Sequence, residues 1–346
     1  MALLSRILPD RFVLALILAV ATASLLPVVG QASEILHDVA TVAIATVFFL
    51  HGGRLSRATV IEGMTNWRLH IAVLATTFVI FPVLGLAITH LLPESVLSPA
   101  IAMGLLFLCV LPSTVQSSIA FTAIAGGNVP AAVCSASASN ILGMFITPAM
   151  VALLFGASGQ GVSLDQVEAI VFQLLVPFIA GQVLERWIGD WLRRHRKPLG
   201  LVDRGSIVLV VYLAFSGAVV SGFWNRVGAL DLAVMLVVDC LLLALVLAIT
   251  MLGSRWLGFS RADRITIVFC GSKKTLASGV PMANVIFAGR DTGAILMPLM
   301  LFHQIQLMVC AVLARRYARL AEAEAEAEVE ARAKAGGAAA TGHNAA

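Results

Sequence analysis

Long apolar runs recur along the chain as far as about residue 315, separated by short stretches of charge, glycine or proline. A spanning helix needs roughly 20 largely apolar residues, and the pattern supplies that repeatedly. Bounding each run by its flanking charges and turn residues predicts spans at 12–29, 36–52, 69–91, 98–125 and 129–155. Five more follow at 164–185, 205–223, 230–252, 263–288 and 292–314. The fold expected is an all-α polytopic membrane protein with ten transmembrane helices and short loops. Its first run follows Arg6 and Arg11 and precedes "GQAS", which imitates a cleaved leader. With nine spans behind it to use it, we read it as a retained first span.

The fourth and ninth spans are the longest, and both are interrupted. The fourth, "LLFLCVLPSTVQSSIAFTAIAGGN", carries Pro112 and a hydroxyl-rich patch between two apolar halves. The ninth, "ITIVFCGSKKTLASGVPMANVIF", carries Gly271, a polar patch and then Pro281. Proline and glycine also kink ordinary membrane helices. Ten spans, however, divide into two sets of five with a polar break in the fourth of each. Five is odd, so the second set is inverted relative to the first, as in secondary transporters whose site lies at the midplane between repeats. The division expected is residues 1–160 for the first five-helix repeat and 161–316 for the second. Residues 317–346 then form a cytoplasmic helical extension ending in a Gly/Ala-rich disordered tail.

Charge orients this arrangement. With the N-terminus inside, all but four of the 23 basic residues fall on the cytoplasmic side, as the positive-inside rule requires. Arg226 and Arg290 lie outside, and Lys273 and Lys274 lie within a span. Both termini are then cytoplasmic, in a multi-pass protein of the cell membrane, bacterial inner membrane by preference. Topology accounts for the basic residues, so nucleic-acid binding is not suggested. Charged residues make up only 12% of the chain and hydrophobic ones 60%. The five cysteines form no C-x-x-C pair, which suggests neither a disulfide framework nor a zinc site. No G-x-S-x-G, H-E-x-x-H or other catalytic spacing occurs, so an enzyme is not expected.

At each break the helix releases backbone groups that lipid cannot satisfy. Around the first, Ser113, Thr114, Gln116, Ser117 and Ser118 add oxygen acceptors, and the fifth span adds Ser135, Ser137, Ser139, Asn140 and Thr147. Hard oxygen ligands suit Na⁺, although serine and threonine also serve as small packing residues. The second break holds Ser272, Lys273, Lys274 and Thr275. A cation at the bilayer centre costs roughly 2.5–3.5 kcal/mol on insertion scales and is by default functional. The nearest interface is about 12–15 Å away in an apolar core of about 30 Å, too far for a lysine stem to snorkel comfortably. Asp239, central in the eighth span, is an available partner for one of the lysines. His303, with Gln304 and Gln306, adds polar groups in the tenth span.

"GSKKTLASGVPMANVIF", "LPSTVQSSIAFTAIAGGNVPAAV" and "SNILGMFITP" resemble the bile acid:sodium symporter family, and within it the subgroup typified by sodium/bile acid cotransporter 7 and its bacterial relatives. The resemblance implies a panel of helices 1, 2, 6 and 7 and a core of 3, 4, 5, 8, 9 and 10. Within that core, broken helices 4 and 9 cross beside two Na⁺ ions. It places a family Ser-Asn pair that ligates one ion on Ser117 and Ser118, and helix-5 hydroxyls on Ala132 and Ala136. It also places a family Glu and Gln of helix 9 on Val268 and Ser272. The acid that would neutralise Na⁺ is therefore missing, and two lysines stand beside its place. Two unit charges about 5 Å apart repel by several kcal/mol at an effective dielectric near 20.

The function expected is secondary active transport of a small organic anion by alternating access. The resemblance implies Na⁺ coupling, while the altered site leaves H⁺ coupling or none open. A membrane regulator that keeps the fold without transporting is the alternative. No cofactor is expected beyond a possible Na⁺ or H⁺, and no partner beyond the anion and membrane lipid.

Overall fold

The computed structural model describes residues 11–54, 66–93, 96–157, 171–220, 222, 228–288 and 292–343. Arg6, Arg57, Arg226, Arg290 and the first part of the sixth predicted span lie outside the described residues.

Every element among the described residues is helical. The chain begins with α1 (Arg11–Leu25) and α2 (Gln31–Arg54). α3 (Trp67–Leu91) contains a π-helical turn, Thr76–Ile80. α4 (Pro99–Val110) and α5 (Gln116–Ile124) are the halves of the broken fourth span, and α6 is Val129–Ala157. α7 (Val176–Arg194) follows a second π turn, Val171–Leu175, and leads into α8 (Arg196–Val220). α9 is Ala229–Trp256, and α10 (Arg261–Gly271) and α11 (Leu276–Ile286) are the halves of the ninth span. α12 (Thr292–His343) continues through the alanine-rich segment, where helix propensity is high.

Six of these helices are long and apolar enough to cross a membrane, among the described residues. Their outward faces carry large apolar side chains, including Val42, Leu91, Leu153, Val237 and Val312. So extensive an exposed apolar surface belongs against lipid tails. This is a multi-pass membrane protein.

Breaks fall where backbone chemistry requires them. Pro112 has no N–H and cannot continue α4, and the chain turns extended at Leu111. α10 ends at Gly271, and Thr275 caps α11 by accepting from Ser278 N. Pro281 lies inside α11, so it does not make the break as the sequence reading had it.

α2 packs along α7, and α1 along α8. The first pair approaches so closely that a Cβ at Gly52 would collide with the carbonyl oxygen of Phe178. A Cβ at Gly181 would likewise collide with that of Phe49. The remaining helices surround the two breaks. α4 packs on α3 and α12, while α10 packs on α9 and α6.

Candidate functional site

The two breaks meet. Thr275 N donates to Pro112 O at 3.0 Å, joining one interrupted backbone to the other. Backbone groups released at each break are satisfied largely by the opposite one.

At the end of α4, the carbonyls of Cys109, Val110 and Leu111 would accept from Ser113, Thr114 and Val115 if the helix continued. Ser113 N instead donates to Ser139 Oγ at 3.1 Å, and Val110 O accepts from Thr147 Oγ1 at 2.7 Å. Cys109 O and Leu111 O both accept from Lys274 Nζ, each at 2.7 Å.

A third acceptor for that ammonium comes from the π turn of α3. Phe81 N bonds back to Thr76 O, which deprives Thr77 O of the N–H it would receive in an α-helix. The next residue, Pro82, has none to offer. Thr77 O is thereby free to accept from Lys274 Nζ at 2.8 Å. The Phe81 ring lies 4.1 Å from the same nitrogen, close enough for cation–π attraction. Lys274 is fully buried, and all three donors of its ammonium have carbonyl partners.

The end of α10 is satisfied in the reverse direction. Ser113 Oγ donates to Cys270 O, and Ser118 Oγ donates to Phe269 O at 3.1 Å. Ser272 Oγ closes on Val268 O at 2.6 Å. The peptide of Lys274 is held on both edges by Gln306 of α12. Lys274 N donates to Oε1, and Nε2 donates to Lys274 O, each at 2.9 Å. His303 Nδ1 lies 3.0 Å from that same Nε2.

Lys273 takes another direction. Its Nζ sits 3.8 Å from the centroid of Phe121 and has no hydrogen-bond partner, although the residue is fully buried. Asp239 is equally buried, and neither of its carboxyl oxygens has a partner. The expected ion pair between Asp239 and a lysine is absent among the described residues. Lys274 is fully occupied by carbonyls, and Lys273 lies over Phe121.

The other expected residues divide clearly. Ser117 Oγ reaches Thr114 Oγ1 at 3.5 Å, Asn140 Oδ1 accepts from Ser278 Oγ at 3.4 Å, and Ser135 Oγ lies 2.6 Å from His70 Nδ1. Gln116 is exposed. Sequence reasoning missed Thr77, Phe81 and Phe121, and mentioned Gln306 only as a polar neighbour of His303. Pro82 was the available signal for Thr77, because a proline inside an apolar run frees a carbonyl upstream of it.

The sequence profile of the SBF-like CPA transporter family matches residues 10–319. The chain is 58% identical over 315 residues to protein PA2026 of Pseudomonas aeruginosa, covering 91% of this chain and 94% of that one. Identity is 52% over 313 residues to "Putative symporter YfeH" of Escherichia coli (strain K12), covering 90% and 94%. It is 28% over 322 residues to sodium/bile acid cotransporter 7 of Rattus norvegicus, again covering 90% and 94%.

Proposed function

This chain belongs to the SBF-like CPA transporter family, and on that premise we propose that it moves an organic anion by alternating access, with the Lys274 ammonium standing where a coupling cation would bind. That it is a transporter and not an enzyme follows from the family and from its named relatives. The observation that carries the finer reading is the seat of Lys274. Three backbone carbonyls at 2.7–2.8 Å surround a buried positive charge between α3 and the end of α4. Rings of carbonyls are how proteins replace the hydration shell of a monovalent cation. The negative end of the α4 dipole adds to the attraction.

Two of the hydroxyls that the resemblance assigns to Na⁺ are oriented by the backbone, and it is charge that stands against Na⁺. Ser118 Oγ and Ser272 Oγ donate to backbone carbonyls. Val268 supplies no carboxylate, and an added Na⁺ would meet the lysines' repulsion. The partnerless ammonium of Lys273 supports an anionic substrate. Asp239 and Lys273, both buried without hydrogen-bond partners, support a second reading, in which a proton is the coupling ion.

Helix packing supports an inverted 5+5 repeat of ten spans. Exchanging the halves turns the contact of α1 with α8 into that of α7 with α2. It also turns the contact of α3 with α6 into that of α9 with α12. In this reading α1, α2, α7 and α8 form the panel and the other helices the core. The two rock against each other around the crossing, and the distribution of basic residues supports cytoplasmic termini.

The test is a thermal-shift titration of purified full-length protein with NaCl against KCl. A ligand that binds only the folded state raises stability with concentration. Wild type is expected to respond equally to both salts, while Lys274→Ala, with its carbonyls vacated, gains a Na⁺-specific rise. A Na⁺-specific response of the wild type would falsify the proposal.

A further inference from the structure

We propose that a cavity of about 290 Å³ between the C-terminal end of α9, the first turns of α10 and the middle of α12 is a binding site for a phosphate group, distinct from the crossing. Arg261, Arg264, Ile265 and Val268 of α10 line one wall at spacings of three, one and three residues, a single helical face. Ser254 of α9 and Tyr317 of α12 face them. None of the described residues that line the cavity is acidic.

The nearby acid of α10 is directed elsewhere. Asp263 accepts from Asn128 Nδ2 at 2.9 Å and from Ser260 Oγ at 2.8 Å, and these are not lining residues. The charges of Arg264, Arg316 and Arg261 all act on Tyr317. Of these, Arg261 and Arg264 line the cavity together with Tyr317. The Tyr317 ring is held against Phe269 with centroids 6.2 Å apart.

Guanidinium forks match phosphate oxygens bidentately, and tyrosine and serine hydroxyls can donate to a further oxygen. Ile265 and Val268 give the cavity an apolar side suited to the carbon next to a phosphate. All three helices that line it belong to the core in our reading, and no described residue of a panel helix does so. The site is thus separate from the route between core and panel. A phosphate group can come from a soluble phosphate or from the headgroup of an anionic lipid, as basic pockets between membrane helices on the cytoplasmic side often take.

The experiment uses full-length protein, first in neutral detergent with potassium phosphate against potassium chloride at equal ionic strength. The second arm uses vesicles of phosphatidylcholine alone against a mixture with phosphatidylglycerol. Unfolding midpoints are read for wild type, Arg264→Gln, Arg264→Lys and Arg255→Gln. Arg255 removes one charge from the same end of α9 without lining the cavity.

Wild type is expected to gain several degrees from one of the two probes. Arg264→Gln should weaken the apparent affinity at least about tenfold, Arg264→Lys partially, and Arg255→Gln not at all. A rise with phosphate identifies a soluble source, and a rise only with phosphatidylglycerol identifies lipid. If Arg264→Gln does not fold, the contrast between Arg264→Lys and Arg255→Gln decides. Equal losses in Arg255→Gln and the Arg264 variants, or no response of the wild type to either probe, overturn the proposal. The Na⁺ response at Lys274 is independent of every arm.

Discussion

Gln306 holds the peptide of Lys274 by both its N–H and its C=O, so the lysine cannot shift along its own backbone without breaking two buried hydrogen bonds. Gln306→Leu leaves both groups unsatisfied, at roughly 1–3 kcal/mol each. A clear fall in the unfolding midpoint is expected, whereas Gln304→Leu, two residues away, leaves it nearly unchanged. Equal effects in the two variants would show that the clamp contributes nothing. At this scale the sequence revealed which residues matter better than what they touch. Two lysines in an apolar span announce a site through their cost alone. Asp239 was the natural partner to infer, since side chains are what a sequence displays. The partners of Lys274 are carbonyls, which every residue has, and only Pro82 and Pro112 hint at which ones are free.

At the scale of elements, the breaks at residues 111–115 and 272–275 were legible because proline, glycine and clustered hydroxyls mark them. The π turn of α3 was not, because its one extra residue per turn leaves the apolar run uninterrupted. The seam between α2 and α7 was hidden as well. Glycine is common in membrane helices, and nothing in the pattern separates Gly52 and Gly181 from glycines facing open space. The structure separates them. Gly181→Ala drives a methyl group into the backbone of α2, and overpacking of this kind costs about 1–3 kcal/mol or more. Reduced yield and a lowered midpoint are expected. Gly217→Ala in α8 meets nothing within 4 Å and should be neutral, or stabilising by up to about 1 kcal/mol through helix propensity. Stability assays of both variants in one detergent check this.

For the whole molecule, alternating access predicts a change in distance between panel and core. Spin labels at Leu201→Cys on α8 and Trp256→Cys on α9, both exposed, report it once Cys134 and Cys240 are replaced. Cys109, Cys270 and Cys310 are buried and can stay. If a proton is the coupling ion, the distance distribution shifts with pH and not with NaCl, and Asp239→Asn abolishes the shift. A distribution that follows NaCl instead would reject this reading. The seat of Lys274 bears on the same question from another side. A cation tied by four methylene groups to the same chain as its acceptors has an effective concentration set by chain geometry, not by the medium. Its occupancy is one per molecule in brackish or fresh surroundings alike. It cannot be carried across or lost to a depleted gradient, so if Lys274 takes the place of a coupling cation, that charge does no work in transport.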